Sequence, residues 1–237
     1  MKYGLIKVAA AIPGIRVADV EYNVQQIESI IAQAEGRGVE VLALPELCLT
    51  GYTCQDLFRQ QLLLDKAEES LLVLLDFTRK LDIIAVVGLP VRIGSLLYNC
   101  AAVIQKGKIL GLVPKTYIPN YSEFYEMRWF ASGATVTQQS IRICDKDVPF
   151  GTDLIFTDET KKLKFGIEIC EDLWAPHAPS IDMALAGAQI ILNLSASDDI
   201  VGKDSYRADL AVRREIEEIS AFAARTHQHG RRVVVIC

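Results

Sequence analysis

Apolar positions fall at helical spacing in two stretches and in short unbroken runs elsewhere. Val24, Ile27, Ile30, Ile31 and Ala34 recur at three- and four-residue steps, with Asn23 placed to cap a helix and Gly36 and Gly38 to stop it. Leu71, Leu72, Leu74, Leu75 and Thr78 predict a second helix over Lys66 to Lys80. Between the two, Val41 to Leu44 is wholly apolar and closed by Pro45, which predicts a buried strand. Strands are also predicted at Lys7 to Ile12, Ile83 to Leu89, Leu96 to Gln105 and Ile109 to Val113, the last two joined by a Lys106-Gly107-Lys108 turn. Leu154 to Thr157 and Lys164 to Ile169 form a hairpin turning at Asp158 to Lys162. A helix near Ser180 to Ala186, a strand at Ile190 to Leu194, a long helix from about Ser205 and a strand at Val233 to Cys237 complete the pattern. Thr116 to Ser140 is long, irregular and aromatic, and a loop of that kind inside a compact domain is often functional. Strands and helices alternate, with hairpins interrupting. The pattern predicts an α/β fold, a mixed sheet with helices outside or two packed sheets.

Composition narrows the possibilities. A chain of 237 residues makes one domain, or at most two small ones, and 51% hydrophobic residues can fill a large core. The net charge of −5, with no basic run, argues against nucleic acid as a partner. Met1 to Arg16 lacks the features of a signal peptide, and no apolar run reaches the roughly 18–20 residues that span a membrane, so the cytoplasm is the expected location. The six cysteines, Cys48, Cys54, Cys100, Cys144, Cys170 and Cys237, include no C-x-x-C pair, and there are three histidines. Neither a zinc site nor a disulfide framework is expected, and most of the thiols read as small buried hydrophobes.

The G-x-S-x-G, H-E-x-x-H, phosphate-loop and G-x-G-x-x-G signals are missing where they would matter. Three polar groups instead end apolar strands, where ligands of sheet proteins collect. Glu46 follows the strand before Pro45; desolvation there suits a general base, although a strand-terminal Glu also serves as a cap or ion-pair partner. Lys115, after Pro114, could stabilise an oxyanion and favour a nearby thiolate, or be a solvated surface lysine. Cys170 ends the strand Phe165 to Ile169 and precedes Glu171 and Asp172, where turn N–H groups would favour a thiolate; it also reads as one more buried cysteine. His177 is the rival base, in a loop between Pro176 and Pro179.

Pro45-Glu46, Pro114-Lys115 and Glu168-Ile169-Cys170-Glu171-Asp172 together resemble the nitrilase, or carbon–nitrogen hydrolase, superfamily, with its Glu–Lys–Cys triad in that order. The resemblance runs from about Lys7 to Phe222. The segments Pro114 to Glu126, Cys170 to Pro176 and Asn193 to Ser197, with Gly202-Lys203 and Tyr206-Arg207, are similar to the glutaminase domains of glutamine-dependent NAD synthetases. This implies a four-layer α-β-β-α sandwich and hydrolysis of the glutamine side-chain amide through a Cys170 thioester. Glu46 would be the base, and Lys115 with the Glu171 N–H would hold the oxyanion. Ammonia would pass to a synthetase domain that amidates nicotinic acid adenine dinucleotide. By matched position, Glu123 would orient Lys115. Tyr121, Ser197 and Lys203 would contact the glutamine α-groups, and Tyr52 and Glu171 would line the pocket. The resemblance implies no cofactor for amide cleavage; ATP and magnesium belong to the synthetase domain. The family implies glutamine and that domain as partners, and a homo-oligomer is expected.

Two departures qualify the resemblance. From roughly Arg225 the sequence reads Thr226-His227-Gln228-His229-Gly230-Arg231-Arg232 and leaves the family pattern, and no Ser-Gly-Gly-x-Asp-Ser loop follows. Residues 1–237 are therefore expected to be one C-terminally truncated glutamine amidohydrolase domain without its synthetase partner, which puts the last strands in question. A fragment, a truncated product and a stand-alone relative all fit. The rival functions are an amidase for another small amide and an interaction-only fragment.

Overall fold

The first helix starts about a turn before the position that the apolar pattern marks. In the computed structural model, which describes residues 5–198, 201–203, 205–213 and 233–236, helix α1 spans Val20–Gly36 and Asp19 caps it, accepting from the Tyr22 N–H at 3.2 Å. Asn23, expected as the cap, is buried within the helix. Its amide accepts from Arg16 N–H at 2.8 Å and donates to the Arg16 and Leu49 carbonyls at 2.8 and 3.0 Å. Helix α2 also starts earlier than expected, covering Gln61–Phe77, and a 3₁₀ turn at Thr78–Lys80 ends it.

Eleven strands are numbered in chain order among the described residues: β1 Val8–Ala10, β2 Val41–Ala43, β3 Ile84–Ile93, β4 Leu96–Gln105, β5 Lys108–Pro114, β6 Ser140–Ile143, β7 Lys146–Pro149, β8 Phe156–Asp158, β9 Leu163–Ile169, β10 Ile190–Leu194 and β11 Val233–Ile236. They form a five-stranded sheet in the order β1-β2-β3-β4-β5, a four-stranded sheet in the order β11-β10-β9-β8, and the β6–β7 hairpin. Strands β1, β2 and β3 are parallel, and β4 runs antiparallel to both β3 and β5. Strand β5 thus points the same way as β2. In the second sheet β9, β10 and β11 are parallel. The strand expected at Val233 is therefore in place, paired with Ile190.

Alternation along the strands makes the layers. Val41, Ala43, Val86, Ala101, Val103 and Val113 of the first sheet share one buried cluster with Phe165, Ile167, Ile169, Ile190, Leu192 and Leu194 of the second. Their neighbours Leu42, Ala85, Val87, Ala102 and Leu112 turn to the opposite face, where Ile27 and Ile31 of α1 and Leu71 and Leu74 of α2 cover them. Helix α3, Pro179–Leu185, sets Met183 on Ile191 behind the second sheet. Strands covered on both faces read as unbroken apolar runs. Each fully buried Leu or Ile contributes roughly 1.5–3 kcal/mol, which makes the layered core the main source of stability. The result is the expected four-layer α-β-β-α sandwich. No described helix is long and apolar enough to cross a membrane. Of the expected long helix from Ser205, residues 205–213 are helical. Its remainder, the Thr226–Arg232 segment and Cys237 lie outside the described residues.

Candidate active site

The parallel strands β2, β5, β9 and β10 each end on a polar segment of the site. After β2 the chain turns sharply through Pro45-Glu46-Leu47, with Leu47 at φ 52°. The turn presses on Gly88 of β3. A Cβ at Gly88 would lie 2.3 Å from the Leu47 nitrogen and 2.5 Å from the Pro45 oxygen, so only glycine leaves room. The Glu46 side chain is buried. Its Oε1 accepts from Lys115 Nζ at 2.7 Å and from Asn99 Nδ2 at 2.6 Å, and its Oε2 accepts from the Ala196 N–H, after β10, at 3.0 Å. Asn99 also holds Lys115 through the main chain, its carbonyl accepting the Lys115 N–H at 2.8 Å. Sequence reasoning passed over Asn99, whose one signal was a polar residue inside an apolar strand.

Lys115 is not a solvated lysine: its side chain has 0% exposure. Nζ donates to Glu46 at 2.7 Å and to both oxygens of Glu126 at 2.7 and 2.9 Å. Burial alone would strip the ammonium of its proton. Coulombic attraction, to Glu46 first and then to Cys170 and Glu126, outweighs that and holds Lys115 above its ordinary range. Tyr52 OH donates to Glu126 at 2.8 Å from the far side. Burial, then the charge of Glu46, pushes the Glu126 carboxyl up to about 7, against the pull of Lys115 and Tyr52. The second carboxylate beside Lys115 is Glu126, whereas Glu123, expected to orient the lysine, lies exposed. A 3₁₀ turn at Glu126–Arg128 aims Glu126 inward. Nothing in the loop's aromatic, aperiodic sequence set that register.

Cys170 follows β9 at φ 48°, a left-handed conformation that costs a non-glycine residue on the order of 1–3 kcal/mol, and opens a 3₁₀ turn at Cys170–Leu173. The thiol lies where the charges of Glu46, Lys115 and Glu126 all act on it, and it accepts from the Ala196 N–H. The expected thiolate is not the resting form. Burial first, then Glu46 and Glu126, pushes the thiol up to about 12, and Lys115 and the Ala196 N–H offset this only in part. His177 is exposed and pairs with Asp182 at 2.9 Å, so it is no partner for Cys170.

The residues expected around a substrate form two groups. Ser197 and Tyr52 line a cavity of about 360 Å³ together with Glu46, Ala196 and Arg207. Tyr121 OH donates to the Glu171 carboxylate at 2.9 Å. Lys203 pairs with Asp198 and sits 5.8 and 5.9 Å from the rings of Phe124 and Trp174. Trp174 stacks on Tyr206 with centroids 5.5 Å apart.

Residues 7–231 match the family model described as carbon-nitrogen hydrolase. The chain belongs to the carbon–nitrogen hydrolase family. This hydrolase is 38% identical over 211 residues to the glutamine-dependent NAD(+) synthetase of Mycobacterium tuberculosis, a match covering 89% of the chain but 31% of that protein. It is 36% identical over 201 residues to the human glutamine-dependent NAD(+) synthetase, covering 81% of the chain and 28% of the relative. The hydrolase therefore spans about a third of the length of these relatives. A crystal structure of a glutamine-dependent NAD(+) synthetase from Cytophaga hutchinsonii superposes with a TM-score of 0.76 at 32% identity, over 89% of this chain and 34% of that one. An amidase of the nitrilase superfamily from Nesterenkonia, at 19% identity and a TM-score of 0.73 over 90% of this chain and 73% of its own, shares the fold.

Proposed function

We propose that this carbon–nitrogen hydrolase cleaves the side-chain amide of glutamine to glutamate and ammonia through a thioester on Cys170, and that the ammonia serves NAD synthesis from nicotinic acid adenine dinucleotide. The observation that carries the reading is the buried contact of Lys115 with Glu46 and Glu126 beside the Cys170 thiol. The thiol is protonated at rest, so it needs a base, and Glu46 is the neighbouring carboxylate that reaches the cavity. Glu46 takes the thiol proton as sulfur attacks the amide carbon. An ammonium has three N–H bonds; at rest they meet Glu46 and both oxygens of Glu126, and one turns from the longer Glu126 contact to the developing oxyanion. The Glu171 N–H is the second donor. Glu46 then protonates the departing nitrogen, giving ammonia and the thioester, takes a proton from the water that attacks the thioester, and returns it to the Cys170 sulfur as glutamate leaves. These steps use side chains, one backbone N–H and water. ATP and magnesium would act in a synthetase domain.

Glutamine's α-groups form a zwitterion, and the mouth of the site offers both signs of charge. Lys203 suits the α-carboxylate, and Glu171 and Asp198 suit the α-ammonium, with Tyr121 steering Glu171 and Ser197 at the cavity wall. The test is ammonia release from glutamine, asparagine and simple aliphatic amides by the chain and its Cys170→Ala variant. A clear preference for glutamine that Cys170→Ala abolishes is expected. Equal turnover of aliphatic amides would instead make this an amidase of broader scope, and no turnover of any amide would sink the reading.

A further inference from the structure

Asp172 is 1% exposed and has no task in the chemistry above. Its two oxygens face two different chain segments. Oδ1 accepts from the Tyr117 N–H at 2.7 Å and the Thr116 N–H at 3.1 Å. Oδ2 accepts from the Ile169 N–H at 2.9 Å, with Thr116 at 3.3 Å. Thr116 and Tyr117 directly follow Lys115, and Ile169 directly precedes Cys170. We propose that Asp172 is a positioning residue for amide cleavage, a carboxylate clamp that ties the backbone after Lys115 to the backbone before Cys170 and so sets the spacing of ammonium and sulfur. The proposal rests on the reading of Cys170 as nucleophile and Lys115 as oxyanion donor.

A buried carboxylate is costly unless hydrogen bonds replace its water, and three backbone N–H groups do so here. The clamp joins two sheets, since Lys115 follows β5 and Cys170 follows β9. Glu46 also bridges the sheets, through the Ala196 N–H after β10, but it and Glu126 hold Lys115 by its side chain and not by the backbone that follows it. Other bonds steady the Lys115 side: Gly133 N–H donates to the Lys115 carbonyl at 2.7 Å and Ser132 Oγ to the Thr116 carbonyl at 2.5 Å. Only Asp172 among these carries the link across to the strained Cys170 turn. Burial pushes the Asp172 carboxyl up to about 7 against the pull of the Ile169 and Tyr117 N–H groups. Of the charged groups facing it, Glu168 on β9 adds to that push, and Lys115 after β5 opposes it.

Asp172→Asn keeps the shape but turns one acceptor into a donor, which opens one side of the clamp. Misplacement of about 1 Å costs on the order of 10²-fold, so kcat should fall about 100-fold while KM stays within about threefold. Competent sites are counted by covalent labelling of Cys170. A merely structural role would lower that count and leave kcat per labelled site unchanged, and that result overturns the clamp. If Asp172→Asn does not fold, amide exchange in the unaltered chain decides. Protection of Ile169, Thr116 and Tyr117 should fall together, and with it kcat, as pH drops through about 7. Glu126 titrates in the same interval but bonds none of those amides, so constant protection overturns the clamp. Cys170→Ala, run alongside, separates the two ideas. Turnover by that variant overturns the nucleophile reading, whereas an inactive Cys170→Ala beside an unimpaired Asp172→Asn overturns the clamp alone.

Discussion

Lys115 sits without exposed surface between two carboxylates, and each neighbour makes the others tolerable. Removing one member of such a buried cluster typically costs about 3–5 kcal/mol in stability, because the remaining charges lose their compensation. Lys115→Arg should be nearly as damaging as Lys115→Ala, since a planar, longer guanidinium cannot fill a space shaped for an ammonium. Both should lower kcat by about 10²–10³ in a glutaminase assay, and near-normal turnover by Lys115→Arg would reduce Lys115 to a general positive field. Glu126→Gln should impair turnover by a similar order, and Glu123→Gln should leave it within error; the reverse order would contradict the site geometry. Because the resting thiol titrates at about 12, alkylation of Cys170 by iodoacetamide should be slow at neutral pH and climb across the alkaline range. A plateau reached by pH 8 would show a thiolate at rest. The apolar pattern marked Glu46, Lys115 and Cys170 because each follows a buried strand, but left each with a bland alternative; their reading as a triad came from the family resemblance. Glu126 was not legible, because a loop without periodicity gives no rule for which of two nearby glutamates turns inward.

At the scale of elements, the site depends on close backbone approach as much as on polar side chains. Gly88 of β3 and Gly133 of the aromatic loop leave room for the chain around Glu46 and Lys115; a Cβ at Gly133 would meet the Lys115 oxygen at 2.8 Å. Gly88→Ala should destabilise by at least the roughly 1–3 kcal/mol of ordinary overpacking, since main chain rather than a flexible side chain must move. Urea unfolding measures this, and an unchanged midpoint would mean that the Glu46 turn is loose. Helices and strands with a clear apolar period were readable, and the departures have local causes. Asp19, outside the apolar stripe, caps α1, while Asn23 serves a tertiary link. The β6–β7 hairpin turns through Cys144 and Asp145 at φ 50° and 58° without the Asn-Gly or Asp-Gly pair that marks such a turn.

Across the whole molecule, stability and activity are set against each other by pH. Glu126 and Asp172 both have carboxyls raised to about 7 by burial, from ordinary values of 4.5 and 3.8. The folded state therefore binds their protons more tightly than the unfolded chain does. The stability they contribute is fully present below about pH 4 and is lost as pH rises through about 7. Catalysis needs Glu126 ionised against Lys115, so turnover should rise over the interval in which stability falls. The urea midpoint should be higher at pH 5.5 than at pH 8, and Glu126→Gln should flatten the difference; a higher midpoint at pH 8 would show that these carboxyls are not strained by burial. The account as a whole turns on one covalent bond. The chain is mixed with glutamine, quenched in acid during turnover, digested and mapped by mass spectrometry. The account predicts a γ-glutamyl thioester on the peptide that contains Cys170 and none in the Cys170→Ala variant. Ammonia release with no adduct there, or an adduct on Cys48 or Cys54 instead, would contradict it.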